Sequence, residues 1–347
     1  MVGDDHGQPA SHNVSRCSAC GEAGEPIYNN LRDRRLSAPG TWGILRCRGC
    51  TLHWLNPRPD PEAMPELYAN YYTHASEATE GVGGRTARLR DAVLAGSLGY
   101  SGRRPRSPAW RAAGRLAALV GPLRETVEMG VMGLRGPAAG RLLDVGCGSG
   151  RFLRKMQALG WDVEGVELDE EAVAIARHSG LTVHAGELRA GLLPDSSFDA
   201  ITLNHVIEHV PSPRETLSLC ARALRPGGRL VVATPNVEGW GHRRFGDKWF
   251  HLDVPRHLFL FGPETLRQCM VQAGLEVVHA GTASRSASLV WAARHGGGRG
   301  FRILSQGMIL DRVAGMAYLG VEHLASRFDP GVAEELVVTA TVHRESA

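Results

Sequence analysis

The stretch "LLDVGCGSGRFL", Leu142 to Leu153, decides how the rest of the chain is read. Apolar residues run into glycines at alternate positions, Gly146, Gly148 and Gly150, and helix-forming residues follow. A buried strand that ends in bare backbone and opens a helix marks the ligand end of an open α/β sheet. Glycine there permits a tight turn and lets a ligand approach the main chain closely. With Arg at position 151 the spacing departs from the G-x-G-x-x-G of dinucleotide sites, and no G-K-[ST] follows as in a P-loop. The loop therefore faces a nucleoside-like ligand rather than a pyrophosphate.

Downstream, strand and helix signals alternate. "RLLDV", "DVEGVE", "LTVHA", "FDAITLN" and "RLVVATP" read as strands, with helices over 151–159, 170–178 and 213–224 between them. That rhythm predicts a parallel, doubly wound sheet. "LEVVHAG" and "ELVVTATV" supply two final strands, and the text between them, about 284–330, carries mostly helical signals. Glu167 ends the second strand, where an acid can accept both hydroxyls of a ribose. Glu187 follows the third, within reach of an adenine edge.

Upstream of the sheet lie two other kinds of text. Residues 15–72 hold two C-x-x-C pairs, Cys17 with Cys20 and Cys47 with Cys50, with Gly21 after the first pair and Gly49 inside the second. Two such knuckles present four thiolates tetrahedrally, which predicts a closed, structural Zn2+ site in a zinc-ribbon-like unit. Residues 73–136 are rich in Gly, Ala and Arg, with helical stretches near 86–98 and 110–120, and read as a helical linker or cap. The catalytic sheet domain is expected over 137–345.

Composition sets limits. Of 39 basic residues in 347 only Lys155 and Lys248 are lysines, and the formal charge is +3. Arginine so dominant along the whole chain reflects coding bias, so arginine-rich patches are weak signs of nucleic-acid binding. No window approaches the ~18 apolar residues of a membrane span. The polar start, "MVGDDHGQPASHNVSR", has no apolar signal core, so a cytoplasmic location is expected. No feature of the sequence sets an oligomeric state.

The ordered set D-V-G-C-G-S-G, G-V-E, L-P-D-S-S-F-D, N-H-V-I-E-H-V and L-R-P-G-G-R-L resembles the class I S-adenosylmethionine-dependent methyltransferases over roughly 141–343. The following "WGHRRFGDKWFHLDVPRHLFLFGPETL" is similar to a bacterial subgroup with an L-D-x-P-R-H-L segment, many of whose members carry a cysteine-paired N-terminal unit. The resemblance implies a Rossmann-like methyltransferase sheet that binds S-adenosylmethionine. Carried onto this chain, it places Asp144, Gly146, Gly148 and Gly150 along the cofactor, Glu167 on the ribose, Glu187 on the adenine side and Asn204 at the mouth.

The expected activity is in-line transfer of a methyl group to a small-molecule acceptor: a natural-product, sugar or envelope-linked intermediate. "KWFHLDVPRHLFLF" is expected to gather Trp249, Phe250, Phe259 and Phe261 around His251 and His257, with Arg256 orienting an anionic acceptor. A histidine titrates near neutral pH, and His257 is the expected base, with His205 its rival and His251 beside them. "HVIEH", 205–209, matches a zinc-peptidase pattern, but it follows a sheet strand rather than lying on a helix. An occasional divalent ion at Glu208, as in certain quinone-pathway methyltransferases, stays open. The alternative is a ribosomal RNA or other nucleic-acid methyltransferase using the zinc unit as a reader, with Trp42 and Trp54 as its only stacking platforms; nucleic acid is nonetheless an unlikely partner. A scaffold that has lost turnover is a third reading, and the intact glycine loop and Glu167 argue against it.

Overall fold

The alternation from Arg141 onward folds as one twisted sheet. The computed structural model describes residues 7–68, 85–100, 108–136, 140–284, 286–287, 309–326, 328–329 and 331–342. Parts of the expected linker (73–84 and 101–107), the first residues of the expected sheet domain (137–139), the helical signals over 288–308 and the end of the chain lie outside these.

In the N-terminal unit, strands β1 (Gly24–Leu31), β2 (Trp42–Cys47) and β3 (His53–Asn56) form an antiparallel sheet. Helices α1 (Arg85–Ser97), α2 (Pro108–Ala117) and α3 (Gly121–Met129) follow. The first two match the expected helical stretches. The third begins at Gly-Pro, where proline in the first turn is a start signal rather than a break. Gly114 is needed where α1 and α2 cross, because a Cβ there would collide with the Ala92 carbonyl.

Among the described residues the main sheet has seven strands. In chain order its elements are β4 (Gly140–Val145), α4 (Arg151–Ala158), β5 (Trp161–Glu167), α5 (Glu170–His178), β6 (Thr182–Ala185), β7 (Phe198–Asn204), α6 (Pro213–Ala223) and β8 (Leu224–Pro235). Next come the short helix α7 (Trp240–Phe245), strand β9 (Phe259–Leu260), α8 (Pro263–Gln272), β10 (Glu276–Ala283), α9 (Ile309–Ala325) and β11 (Glu335–Thr341). The sheet runs β10-β11-β8-β7-β4-β5-β6.

The expected doubly wound sheet is present, and one of the two final strands runs against the others. β11 enters between β8 and β10 and is antiparallel to both. The connection from β8 through α8 leaves a one-strand gap before β10, and the chain returns through α9 to fill it from the opposite direction. This insertion brings Glu334 and Glu335, at the start of β11, to the carboxyl edge of the parallel strands; Glu335 pairs with Pro235.

Two apolar cores cover the two faces of the sheet. On one, α1 and α3 contribute Val93, Leu94, Val127 and Met129 against Leu142, Leu153, Met156 and Trp161. On the other, Trp42, Ile44, Trp54 and Leu55 of the N-terminal unit share one core with Phe198, Leu230, Phe261 and Leu266 of the main sheet. The backbone joins the two units as well. β9 is the fourth strand of the N-terminal sheet, pairing Phe259 with Trp54 and Leu260 with His53, while Phe261 bridges to Asn236 beyond β8. The segment expected to line the acceptor is thus built into both units. No helix among the described residues is long and apolar enough to cross a membrane.

Candidate active site

The cofactor half lies where the strand order reverses between β4 and β7. After β4 the chain is left-handed at Gly146, Gly148 and Gly150, with φ of 73°, 52° and 79°. Side chains are excluded at two of these on steric grounds too: a Cβ on Gly146 would strike Val206, and one on Gly150 would strike Leu181. Glu167 braces the loop. Its Oε2 accepts from the Gly148 amide (2.7 Å) and its Oε1 from the Asp169 amide (2.9 Å). Each oxygen keeps a second acceptor site for a ribose hydroxyl. Asp144 is 4% exposed and takes a hydrogen bond from Thr202 Oγ1 (2.6 Å). Burial, with some help from the Glu167 charge, pushes its carboxyl up to about 7. Asn204 is exposed at the end of β7, and Glu187 is exposed beyond β6. The bare loop, the carboxylate beside it and the polar strand ends fit an adenosine bearing a short charged tail, as S-adenosylmethionine does.

The second half of the candidate site begins one residue past β7. His205 has a φ of 55°, an uncommon conformation for a side chain this large and a form of strain that clusters at functional sites. Its amide is held by the Ala233 carbonyl (2.8 Å). Its ring spans two carboxylates, with Nδ1 3.2 Å from Glu208 and Nε2 3.3 Å from Glu335. Burial alone would lower its pKa, but the two hydrogen bonds and both negative charges outweigh that and raise it to about 10. His205 is therefore an imidazolium at neutral pH, donating from both nitrogens. Glu208, also held by Thr234 (2.9 Å), is kept ionised against its burial by His205, with a pKa of about 2.

His251 stacks on His205, ring centroids 6.1 Å apart. Trp249 and Phe250 meet its edges at 5.4 Å and 5.1 Å. Burial, then the positive charge of His205, push its pKa down to about 3, so the ring is neutral, and Nε2 has no hydrogen-bond partner among the described residues. Of the expected aromatic box only Trp249 and Phe250 flank a histidine. Phe259 and Phe261 are 1% and 0% exposed and belong to the shared core.

His257 lies inside the wall, 3% exposed, with Nδ1 donating to the His251 carbonyl (2.7 Å) and its ring edge-on to His209. Burial pushes its pKa down to about 4. Arg256 cannot orient an acceptor, because it is 0% exposed and fully engaged. Its guanidinium binds both oxygens of Asp33 at 2.8 and 2.9 Å and Asp253 Oδ1 at 2.7 Å. Arg35 binds the other oxygen of Asp253 (2.6 Å). Asp33 is in turn gripped by the amides of Arg35, Leu36 and Ala38. This buried network ties the loop after β1 to the segment before β9.

Among the described residues, two groups of side chains could hold a metal. The four cysteines bring their sulfurs within 4.8 Å of one another, with Cys17–Cys50 at 3.5 Å and Cys20–Cys47 at 3.3 Å. Sulfurs around a tetrahedral ion lie ~3.8 Å apart, given Zn–S bonds of ~2.3 Å. Amides of Ala19 and Cys50 point at Cys17 and Cys47 (3.4 Å each). The left-handed residue of the first knuckle is Gly21, as its spacing suggests, but in the second it is Thr51, φ 63°, and not Gly49. Gly49 instead keeps the knuckle uncrowded, since a Cβ would come within 3.0 Å of the exposed Glu22 side chain and 3.5 Å of Cys20 Sγ. Glu208, His209 and His257 form the second group, also within 4.8 Å. Residues 207–209 form a turn, so "HVIEH" lacks the helix of a peptidase.

Trp42 and Trp54, the stacking platforms that an RNA-reading unit needs, are each 1% exposed. Asp33, Thr202 and Glu335 are not among the residues expected from the sequence. Asp33 hides among arginines in "RDRR". Glu335 was detectable in principle: two adjacent acids opening an apolar strand put one on each face, and one must then be buried.

Residues 121–280 match a family described as a methyltransferase domain. The ubiquinone biosynthesis O-methyltransferase of Azoarcus sp. (strain BH72) is 36% identical over 174 residues, 46% of this chain and 72% of that protein. Its counterpart in Aromatoleum aromaticum is 33% identical over 154 residues, 41% of this chain and 66% of that protein. In Xanthomonas oryzae pv. oryzae (strain PXO99A) the figures are 40% over 106 residues, 28% of this chain and 44% of that protein. The chain thus spans less than two thirds of the last two relatives.

Proposed function

Because the chain belongs to the S-adenosylmethionine-dependent methyltransferase family, we propose that it methylates a hydroxyl-bearing small molecule, of the natural-product, sugar or envelope-linked kind. The observation that carries this reading is the left-handed glycine loop braced by Glu167 beside a separate polar wall of His205 and His251. When bound, S-adenosylmethionine supplies an electrophilic methyl on a sulfonium. Gly146, Gly148 and Gly150 give it bare backbone, Glu167 takes the ribose hydroxyls, Glu187 flanks the adenine, and Asp144 and Asn204 line the remainder.

Catalysis on this reading is mostly placement, holding the acceptor in line with the methyl. The acceptor's hydroxyl proton becomes acidic only in the transition state, so the neutral, weakly basic ring of His251 can receive it without a strong base. His205, fixed as a cation by Glu208 and Glu335, brings positive charge to the acceptor side and stacks on His251. His257 positions His251 through its carbonyl. Cys17, Cys20, Cys47 and Cys50 hold a structural Zn2+. Thiols kept reduced for such a site suit the cytoplasm.

Labelled methyl transfer onto small-molecule and RNA fractions tests the reading. Label should enter the small-molecule fraction, and His251→Ala or His205→Ala should cut the rate ~10²-fold without changing cofactor affinity. Gly148→Val should abolish cofactor binding in calorimetry. Label in RNA alone, or unchanged cofactor binding by Gly148→Val, would overturn it.

A further inference from the structure

A shallow cleft, enclosing about 40 Å³, opens between the loop after β1 and the segment 247–254. Nothing in the methyl-transfer reading uses it, and its interest lies in the charges that line it rather than in its size. The wall carries Arg32, Arg34, Arg35 and Lys248 against Asp33, Asp247 and Asp253. Those numbers understate its positive character. Asp33 and Asp253 are both bound to Arg256, which lies beneath the cleft rather than in its lining. Asp253 is further matched by Arg35. Asp247 meets Arg34 at 3.3 Å in a pair that is about half exposed and hence weak. Arg32 and Lys248 have no ion-pair partner among the described residues, and both are exposed.

The floor is rigid. Asp33 is held by three backbone amides and Arg256, and Arg35 lies over the Phe250 ring at 4.6 Å. The turn 250–252 divides its side chains: Phe250 and Leu252 line this cleft, while His251 between them stacks on His205. A ligand in the cleft would therefore share a wall with the acceptor face. Guanidinium groups at its rim favour phosphate and carboxylate, which accept paired hydrogen bonds, and the excess of positive over negative side chains left by the internal pairing draws an anion.

We propose that this cleft is an anion site, in which Arg32, Arg34 and Lys248 bind the phosphate or carboxylate group of a small molecule. The proposal goes beyond methyl transfer and does not require it.

The test is calorimetric titration of the full-length, metal-replete protein without cofactor, using inorganic pyrophosphate, uridine diphosphate, citrate, glucose and a single-stranded oligonucleotide. Pyrophosphate should bind saturably and glucose not at all. Arg32→Ala and Lys248→Ala, both exposed and outside the buried network, should each weaken binding about tenfold, the loss of one charge-assisted hydrogen bond. Arg214→Ala, exposed elsewhere, should not. Tighter binding of uridine diphosphate than pyrophosphate assigns the anion to an organic phosphate, and equal binding to a free anion. Absence of saturable anion binding, indifference to both substitutions, or binding of the oligonucleotide alone would each overturn the proposal and leave methyl transfer standing.

Discussion

The two halves of the candidate site are built on different principles. The cofactor half comes from one continuous stretch, Asp144 to Asn204, whose residues sit at the ends of neighbouring parallel strands. Backbone conformation does most of its work, through three left-handed glycines and one carboxylate that accepts two amides. The acceptor half draws on four separated stretches, around Asp33, His205, His251 and Glu335, joined by buried charge. A locally encoded site depends little on the rest of the chain. A wall assembled from distant pieces depends on every piece.

The sharpest way to break this contrast is to remove the metal expected at the four cysteines. Such sites contribute ~10–16 kcal/mol of binding energy that counts toward folding. Chelation, or Cys17→Ser, should raise hydrogen exchange in β1–β3 and in residues 249–261 together, because β9 is the fourth strand of that sheet. β4, β5 and β7 should stay protected longer. If 249–261 keeps its protection while β1–β3 opens, the acceptor wall does not depend on the N-terminal unit.

Asp33→Ala comes next. It strips the bidentate partner from an arginine that is 0% exposed, a change that typically costs ~3–5 kcal/mol. Urea unfolding reads that loss directly, and a change below about 1 kcal/mol would mean that Asp253 alone satisfies Arg256.

On the cofactor side the effects should be smaller and confined to binding. Glu167→Ala should weaken S-adenosylmethionine by ~1–3 kcal/mol through lost hydrogen bonds, with an unfolding midpoint close to wild type. A collapse of stability instead would show that the loop is as dependent on its context as the wall.

The smallest effect is in acid. Burial works against ionisation of Asp33, but the hydrogen bonds and charge of Arg256 outweigh it and lower its pKa. A carboxyl lowered on folding stabilises above its unfolded pKa of about 3.9, and that contribution is lost as pH falls toward the folded value. The stability gap between wild type and Asp33→Asn should therefore shrink below about pH 4. A gap independent of pH would place the effect of Asp33 in packing rather than charge.

The same contrast explains what was legible. Strand and helix periods, the glycine loop and the cysteine spacing are local signals, and each depends on residues within one or two turns of one another. They suffice for the parallel strands β4 to β8, the left-handed glycine loop after β4 and the four-cysteine cluster. What tertiary structure alone decided is non-local. The direction of β11 follows from the gap that it fills, and the loan of β9 to the N-terminal sheet joins residues about 200 positions apart. Arg256 looked like an acceptor-binding cation, and His257 like an exposed base, because charge and titration are properties a sequence displays. Whether such a group meets solvent or a buried partner depends on what packs over it, and here that partner, Asp33, arrives from the far end of the chain.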